Sequence, residues 1–422
     1  MLVIGLGYVG LPLALAYARS GFSVTGLDKS SLKVETLQKG CSDVDDISDQ
    51  ELTDLIRSDL FVVTDEFSTL ADADIIIICV PTPLSKTKAP DLSFILDAMD
   101  SISKHLHKGQ LIILESTTYP GTTDEVIRPK LESTGLIIGK DISLAYSPER
   151  IDPGNKEFNL REIPKIVAGI TPICREIAVI LYQQIVDKVV PVSTTRTAEM
   201  VKILENTFRS VNIGLINEIA LICDKLNIDV WETIDAAATK PFGYVPFYPG
   251  PGLGGHCIPI DPHYLSWKLM TLDYPARFIT LASEVNGNMP EYVVSKITDT
   301  LNELELSVKN SKILILGIAY KANIGDHRES PALDIIESLI KKGADVSYND
   351  PYISQVTIQD QLFESVSLSE NTIRQSDCVV IVTNHGTYDI SEIVGHAQAV
   401  VDTRNATKAI THSHKKITRI GV

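Results

Sequence analysis

The first residues read Leu2-Val3-Ile4-Gly5-Leu6-Gly7-Tyr8-Val9-Gly10, a short apolar run followed by glycines with the spacing GxGxxG. The run predicts a β-strand, and the residues from Leu11 to Ser20 predict a helix directly after it. A second strand is expected over Phe22 to Leu27, and it ends on Asp28, 18 residues after Gly10. This context of strand, turn, helix and acid predicts a dinucleotide-binding βαβ unit.

Each glycine and the acid has a physical role in such a turn. Gly5 permits the tight turn, Gly7 lets a pyrophosphate approach the helix N-terminus, and Gly10 lets helix and strand pack closely. Asp28 is expected to accept the ribose 2′-hydroxyl and to repel a 2′-phosphate, which predicts NAD rather than NADP. The cofactor-binding residues predicted in this region are Gly5, Gly7, Tyr8, Val9, Gly10 and Asp28.

Strands continue to alternate with helices after this opening. Ile75 to Val80 predicts a buried strand, and it is followed by Pro81 and Thr82. Because ligands bind at the carboxyl ends of strands in doubly wound sheets, we expect both residues to contact the cofactor.

Two further strands end at hydroxyl and carboxyl side chains. Leu111 to Glu115 leads into a turn that contains Thr117, which is either a helix cap or a ligand contact. Leu144 to Tyr146 leads to Glu149, which is either a base or an exposed salt-bridge partner.

A long apolar helix is expected from Thr195 to Asn227. A helix with apolar residues around its whole circumference is buried, so this one is expected to link two domains and a partner subunit. Lys202 and Asn206 lie four residues apart on one face. They are either part of an i,i+3 salt bridge with Glu199, or a cation and an amide that face a developing oxyanion.

The segment from Tyr248 to Asp261 holds four glycines and three prolines in fourteen residues. It predicts a stiff loop that lets a ligand approach the backbone. Cys257 lies in this loop, four residues before Asp261, and a thiolate is a strong nucleophile. The alternative is a glycine-rich turn with an incidental cysteine.

A second α/β unit follows. Its predicted strands are Lys312 to Gly317, Asp345 to Asn349, Cys378 to Thr383 and Ala399 to Asp402, and Ser330-Pro331 is expected to begin a helix. The unit lacks the glycine fingerprint. Lys321, Arg328 and Arg404 come after its strands, either as solvated charges or as ligands for an anion bound between the domains.

Composition excludes several classes of protein. The chain has 422 residues and a net charge of −16, which argues against nucleic-acid binding. No apolar run reaches the length of a membrane helix, and the chain opens directly on a strand, so a cytoplasmic protein is expected. The six cysteines are scattered, which supports neither a disulfide framework nor a metal site.

Several motifs together resemble the UDP-glucose/GDP-mannose dehydrogenase family over essentially the whole chain. They are GLGYVGLP at the start, ESTTYPGTT at 115–123, SPER at 147–150, the Lys202/Asn206 helix, GGHCIPIDP at 254–262, and the GIAYK and RESP segments. Within the family, PTPLSK, ESTTYPGTT, SPERIDPGN and PFGYVPFYPGPGLGGHC are most similar to bacterial UDP-N-acetylglucosamine 6-dehydrogenases.

The resemblance implies two Rossmann-like doubly wound domains joined by a long central helix and a helical dimerisation core. The implied domains are 1–194 for NAD, 195–306 for dimerisation and the cysteine loop, and 307–422 for the UDP-sugar. A homodimer is implied, with a UDP-N-acetylhexosamine as substrate, UDP-N-acetylglucosamine first. The N-acetylmannosamine, N-acetylgalactosamine and glucose counterparts remain alternatives.

The resemblance also implies a four-electron oxidation in which Cys257 forms a thiohemiacetal and then a thioester. The implied catalytic residues are Cys257, Lys202, Asn206, Asp261, Glu149 and Thr117. Pro81, Thr82, Thr117 and Arg328 join the cofactor contacts. The implied substrate contacts are Glu149, Arg150, Lys202, Asn206, Tyr248, Gly254, Lys321 and Arg404. Two alternatives remain open: a two-electron dehydrogenase with a structural Cys257, and a non-catalytic sensor of NAD or nucleotide sugar.

Overall fold

The computed structural model describes residues 1–42, 44, 47–85, 89–150, 158–410 and 416–422. The last residue of PTPLSK and the last five of SPERIDPGN therefore lie outside the described residues. The chain divides into two compact units. The first comprises residues 1–205 and 263–275, and the second comprises 206–262 and 276–422.

The helices and strands up to residue 226 belong mainly to the first unit. They are β1 (Leu2–Ile4), α1 (Gly10–Arg19), β2 (Val24–Leu27), α2 (Ser31–Gln38), α3 (Asp49–Arg57), β3 (Phe61–Thr64), β4 (Ile75–Ile78), α4 (Ser93–His105), β5 (Leu111–Leu114), α5 (Arg128–Glu132), β6 (Ser143–Tyr146), β7 (Lys165–Gly169), α6 (Pro172–Tyr182), β8 (Val189–Pro191) and α7 (Thr195–Leu226). A 3-10 turn spans Phe67–Asp72, and a π-helical turn spans Thr123–Ile127.

The remaining helices and strands belong to the second unit, except for most of α9. They are α8 (Val230–Ala238), α9 (Asp261–Met270), α10 (Arg277–Glu303), β9 (Lys312–Leu316), α11 (Pro331–Lys341), β10 (Asp345–Asn349), β11 (Gln355–Ile358), β12 (Gln361–Glu364), α12 (Glu370–Arg374), β13 (Cys378–Ile381), α13 (Ile390–His396), β14 (Val400–Asp402) and β15 (Ile417–Arg419).

The first unit is built on a sheet whose described strands run in the order β3-β2-β1-β4-β5-β6-β7-β8. All neighbouring pairs are parallel except β6 and β7, which are antiparallel. The central strands are apolar on both faces because helices cover both sides, as expected for a parallel sheet. Val3 packs with α1, α3 and α6, whereas its neighbours Leu2 and Ile4 pack with α4 and α5.

The second unit has a parallel sheet in the order β10-β9-β13-β14-β15, also covered on both faces. One face packs against α10 and α11, and the other packs against α12 and α13. A separate antiparallel hairpin pairs β11 with β12.

The fold class predicted from the sequence is confirmed, and the predicted strands and helices lie within about two residues of the observed ones. Ser330 begins α11 as expected, since its Oγ accepts the backbone N–H of Ala332. The turn that contains Thr117 leads into the π-helical turn at Thr123–Ile127, which continues as α5. In the described part of the chain, no helix has the length and apolar character needed to cross a bilayer.

Candidate active site

The glycine turn after β1 has the geometry that a dinucleotide requires. Gly5 has φ +89°, a conformation that favours glycine, and a Cβ on Gly10 would lie 1.8 Å from the carbonyl oxygen of Gly5. A Cβ on Gly7, in contrast, would meet no atom within 4 Å. Gly5 and Gly10 therefore close the turn, while Gly7 leaves space in front of α1 that a pyrophosphate can fill.

Asp28 is fixed beside this turn at the carboxyl end of β2. Its Oδ2 accepts the backbone N–H of Leu6 at 2.9 Å, and its Oδ1 accepts that of Ser30 at 3.0 Å. The side chain is only half-buried, so each oxygen keeps a lone pair for a further donor. This carboxylate fits a ribose hydroxyl, and the turn as a whole fits NAD.

Thr82 lies in the loop after β4 and is held by α9. The hydroxyl of the fully buried Tyr264 donates to the carbonyl oxygen of Thr82. On the same helix, Trp267 packs on Tyr119 with ring centroids 5.1 Å apart. Sequence reasoning missed these contacts, because nothing local indicates that the helix after the cysteine loop packs on the loop that contains Pro81 and Thr82.

Glu199 on α7 anchors the turn that follows Thr117. It is fully buried, and its carboxylate accepts the backbone N–H groups of Gly121 and Thr123 and the hydroxyl of Thr123. Burial raises the pKa of Glu199 to about 7. The side chain treated in the sequence as a possible salt-bridge partner of Lys202 thus binds backbone, and it holds the turn beside the half-buried Thr117.

Glu149 is buried at the end of β6 and accepts a hydrogen bond from the ammonium group of Lys165 at 2.9 Å. The next residue, Arg150, was expected to contact the substrate. Its guanidinium binds the carboxylate of Glu205 at 2.7 Å and the carbonyl oxygen of Pro164 at 2.6 Å. The Arg150 side chain is therefore held by other residues of the first unit.

Cys257, Asn206 and Asp261 come together in the second unit. The carbonyl oxygen of Cys257 accepts the backbone N–H of Asp261 at 2.8 Å, which fixes the turn between the partly exposed thiol and the carboxylate. Asn206 donates one amide N–H to Oδ2 of Asp261. Lys202 lies one turn earlier on α7 and is also buried. The cysteine loop and α7, which are distant in sequence, are thus joined by hydrogen bonds that link Asn206, Asp261 and the backbone of Cys257.

The cysteine loop packs tightly against the segment after β9. A Cβ on Gly254 would lie 2.5 Å from the Cβ of Tyr320, so only glycine fits there. The backbone N–H of Gly255 donates to the carbonyl oxygen of Arg328 at 3.1 Å. The Arg328 guanidinium binds Asp326 at 2.7 Å. The predicted substrate residue Lys321 is half-buried in this same segment.

Two other predicted substrate residues have well-defined surroundings. The hydroxyl of Tyr248 donates to Asp235 at 2.8 Å, and its ring stacks on Trp231. Arg404 is held by a hydrogen bond from its Nε to the carbonyl oxygen of Val382 at 2.9 Å. Burial lowers the pKa of Arg404 to about 10, and its guanidinium lies beside Gly250 in the cysteine loop.

The first turn of the second sheet repeats that of the first. Gly317 follows β9 with φ +79°, and a Cβ there would lie 2.3 Å from the carbonyl oxygen of Thr383. Asp350 follows β10, and its Oδ2 accepts the backbone N–H groups of Ile318 at 2.8 Å and Ala319 at 3.0 Å. That oxygen also bonds the imidazole of the buried His385 at 3.1 Å.

The other carboxylate oxygen of Asp350 is used as well. Its Oδ1 accepts the backbone N–H groups of Tyr352 at 2.9 Å and Ile353 at 3.1 Å. Asp28 is half-buried and accepts one of these hydrogen bonds on each oxygen, whereas Asp350 is buried and accepts at least two on each oxygen. No group of His, Cys, Asp and Glu side chains suited to a metal ion occurs among the described residues.

Comparison with known protein families now adds to this geometry. Three domains of one family match the chain: the NAD binding domain at residues 1–186, the central domain at 196–288 and the UDP binding domain at 314–409. The chain belongs to the UDP-glucose/GDP-mannose dehydrogenase family. It is therefore an NAD-dependent oxidoreductase that acts on nucleotide sugars.

Named relatives of this dehydrogenase act on different sugars. The UDP-N-acetyl-D-mannosamine dehydrogenase of Methanococcus vannielii is 36% identical over 96% of this chain and 92% of its own length. The UDP-N-acetyl-D-glucosamine 6-dehydrogenase of Pseudomonas aeruginosa is 36% identical over 83% of this chain and 82% of its own. A solved UDP-D-ManNAc dehydrogenase from Pyrococcus horikoshii is 32% identical, with a TM-score of 0.90, and covers 100% of this chain and 99% of its own.

Proposed function

We propose that the protein oxidises the C6 hydroxyl of a UDP-N-acetylhexosamine to a carboxylate in two NAD-dependent steps, with Cys257 as the nucleophile. The observation that carries this proposal is the cluster of Cys257, Asp261 and Asn206. It combines a nucleophile, a carboxylate and an amide donor, which the second oxidation needs and which a two-electron alcohol dehydrogenase does not.

The first oxidation requires removal of a proton from the hydroxyl and of a hydride from C6. Lys202 in its neutral form accepts the proton. When bound, NAD accepts one hydride in each of the two oxidations. The products of this step are an aldehyde and protonated Lys202.

The second oxidation requires a nucleophile, because an aldehyde does not readily release its remaining hydride. The Cys257 thiolate adds to the carbonyl carbon, and the oxygen becomes an oxyanion. The protonated Lys202 and the second amide N–H of Asn206 stabilise this charge as hydrogen-bond donors. Loss of the hydride then leaves a thioester on Cys257.

Hydrolysis completes the reaction. A water oxygen forms a bond to the thioester carbon, the C–S bond breaks, and Cys257 leaves as a thiolate. Glu149 accepts the proton of the water, while Asp261 and Thr117 orient it. The three domains proposed for this cycle are 1–194, 195–306 and 307–422, a division supported by the three matched family domains.

The proposed contacts of the substrate are those that the family resemblance implies. Arg404, Lys321, Tyr248 and Gly254 contact the nucleotide sugar from the second unit, and Arg328 contacts the cofactor. Glu149, Arg150, Lys202 and Asn206 also contact the sugar. UDP-N-acetylglucosamine is the first candidate because of the PTPLSK and SPERIDPGN motifs, and UDP-N-acetylmannosamine is the second because of the relatives with that activity.

A homodimer is part of the proposal. Along α7, large apolar side chains are exposed at positions whose spacing places them on one helix face, namely Leu204, Phe208, Leu215, Ile222 and Leu226. A stripe of this kind on a monomer marks an interface. Because α7 also carries Lys202 and Asn206, a second copy that covers the stripe would stiffen the helix that holds these donors.

The test is the yield of NADH per UDP-N-acetylhexosamine at completion, for wild type and for Cys257→Ser. About two NADH in wild type, and a stalled reaction in the variant, are expected. Cys41→Ser replaces an exposed thiol elsewhere and should retain the wild-type yield. A yield of about one that is unchanged in Cys257→Ser would contradict the thioester mechanism. Ligand binding without NADH from any UDP-sugar would indicate the sensor.

A further inference from the structure

A buried ion cluster lies behind Glu149 in the first unit. The ammonium group of Lys165 lies 2.7 Å from Oε2 of Glu115 and 2.9 Å from Oε2 of Glu149. The side-chain exposures are 4% for Lys165, 0% for Glu115 and 7% for Glu149. Two carboxylates thus share one cation away from water, where charge interactions are strong.

The fold brings these groups together from neighbouring strands. Glu115 follows β5, Glu149 comes after β6, and Lys165 is the first residue of β7, which pairs with β6 in the antiparallel sense. Tyr182 at the end of α6 donates its hydroxyl to Oε1 of Glu115. The second oxygen of Glu149 accepts the backbone N–H of Arg150 at 2.7 Å. Both oxygens of Glu149 are therefore fixed in position.

Among the described residues, three titratable groups that face the cluster carry no charge at neutral pH. Tyr17 of α1, Cys79 after β4 and Tyr182 of α6 face it, and burial raises the pKa of each well above its ordinary value, so all three are neutral. Burial also raises the pKa of Glu115 to about 7. Burial acts to lower the pKa of Lys165, but the two carboxylates outweigh it and the pKa is raised.

We propose that Lys165 is a positioning residue that keeps the Glu149 carboxylate ionised and correctly oriented, and that Glu115 and Tyr182 hold Lys165 in place while sharing its charge. This inference rests on the proposed function, in which Glu149 accepts the proton of the hydrolytic water. An ammonium bound to Glu149 alone would make it a weak base. By taking part of that charge, Glu115 leaves Glu149 ionised yet able to accept a proton.

The double variant Lys165→Met/Glu115→Gln tests this role. Above the Glu115 pKa of about 7, it removes one positive and one negative charge together, so the net charge of the cluster is unchanged and no second carboxylate is left unpaired. Glu149 loses its cation, and its ionisation is expected to move to higher pH by about 1–3 units. The single variant Glu115→Gln gives Glu149 the whole ammonium and should move its ionisation to lower pH.

Two readouts report this ionisation. The first is infrared titration of the Glu149 carboxylate, identified as the band lost in Glu149→Gln, which needs no turnover. The second is the acidic limb of kcat against pH. Lys165→Arg retains the charge and should return both toward wild type. Lys188→Met removes an exposed lysine and should change neither.

The two readouts also separate this inference from the proposed function. One outcome is that the Glu149 titration shifts in the double variant while the wild-type enzyme yields only about one NADH per substrate. That outcome would support the positioning role of Lys165 and would overturn the thioester cycle. Unchanged Glu149 titration in both Lys165→Met/Glu115→Gln and Glu115→Gln, with only a lower Tm, would overturn the positioning role. If the double variant does not fold, the downward shift in Glu115→Gln decides.

Discussion

Replacement of Gly7 by alanine should weaken NAD binding without affecting the fold. An added Cβ at this position meets no protein atom within 4 Å, and Gly7 does not have a positive φ. The methyl group would instead project into the space in front of α1. In the same turn, a Cβ on Gly10 would lie 1.8 Å from the Gly5 carbonyl oxygen, so Gly10→Ala should destabilise the fold itself.

The magnitudes follow from these distances. A surface substitution without steric conflict changes the free energy of unfolding by about 0.5 kcal/mol or less, which we expect for Gly7→Ala. Displacement of the pyrophosphate from even one backbone N–H removes a charge-assisted hydrogen bond of about 1.5–3 kcal/mol. The Kd for NAD should therefore rise by about 10- to 150-fold. Gly10→Ala forces overpacking and should cost about 1–3 kcal/mol or more.

The assay is calorimetric titration with NAD together with thermal unfolding with and without NAD. Gly287→Ala is the matched control, because a Cβ at this glycine in α10 also meets no atom within 4 Å. The control should bind NAD as wild type does. If Gly7→Ala binds NAD with the Kd of wild type, the assignment of the pyrophosphate to this turn is refuted. The assignment is also refuted if Gly7→Ala, measured without NAD, loses as much Tm as Gly10→Ala does.

Three further predictions concern α7. Burial raises the pKa of Glu199 to about 7 from an unfolded value near 4.5. The contribution of Glu199 to the free energy of unfolding is therefore full below about pH 4.5 and is lost as the pH rises through about 7. In urea unfolding, the free energy of unfolding of Glu199→Gln should vary with pH by about 3 kcal/mol less than that of wild type. Asn206→Ala should lower kcat by about 10²- to 10³-fold in steady-state assays, whereas Asn212→Ala on the same helix should not. Leu215→Glu should convert a dimer to a monomer in light scattering, whereas Ile177→Glu, an exposed apolar position on α6, should leave the mass unchanged.

Local patterns in the sequence predicted the backbone geometry of the glycine turn after β1. The alternation of apolar runs with helical segments indicated a parallel sheet, and the glycine spacing before α1 indicated a tight turn in front of a helix. Gly5, Gly7 and Gly10 each have the expected geometry, because the turn depends on backbone conformation within a few residues. Asp28 could be predicted for the same reason, since it ends the strand next to that turn.

Contacts between distant segments could not be predicted in the same way. Lys165 begins a strand, and a single lysine at such a position indicates a solvated end, yet it is buried between two carboxylates. Its one sequence signal is that it directly precedes an apolar strand. The hydrogen bonds of Glu199 to Gly121 and Thr123 likewise join α7 to a turn more than 70 residues earlier. Helix periodicity placed Glu199 near Lys202 but gave no information about that turn.

The saturated carboxylate of Asp350 explains why one architecture serves two ligands. Both sheets begin with the same arrangement. A glycine follows the first strand, and an aspartate that follows the next strand accepts hydrogen bonds from backbone N–H groups of the glycine turn. In the second sheet, four backbone donors and His385 occupy the aspartate. A ribose hydroxyl would have to displace these donors, so groups of the chain itself compete with a ribose for the Asp350 carboxylate. We therefore expect that the second sheet does not bind NAD in the way proposed for the first.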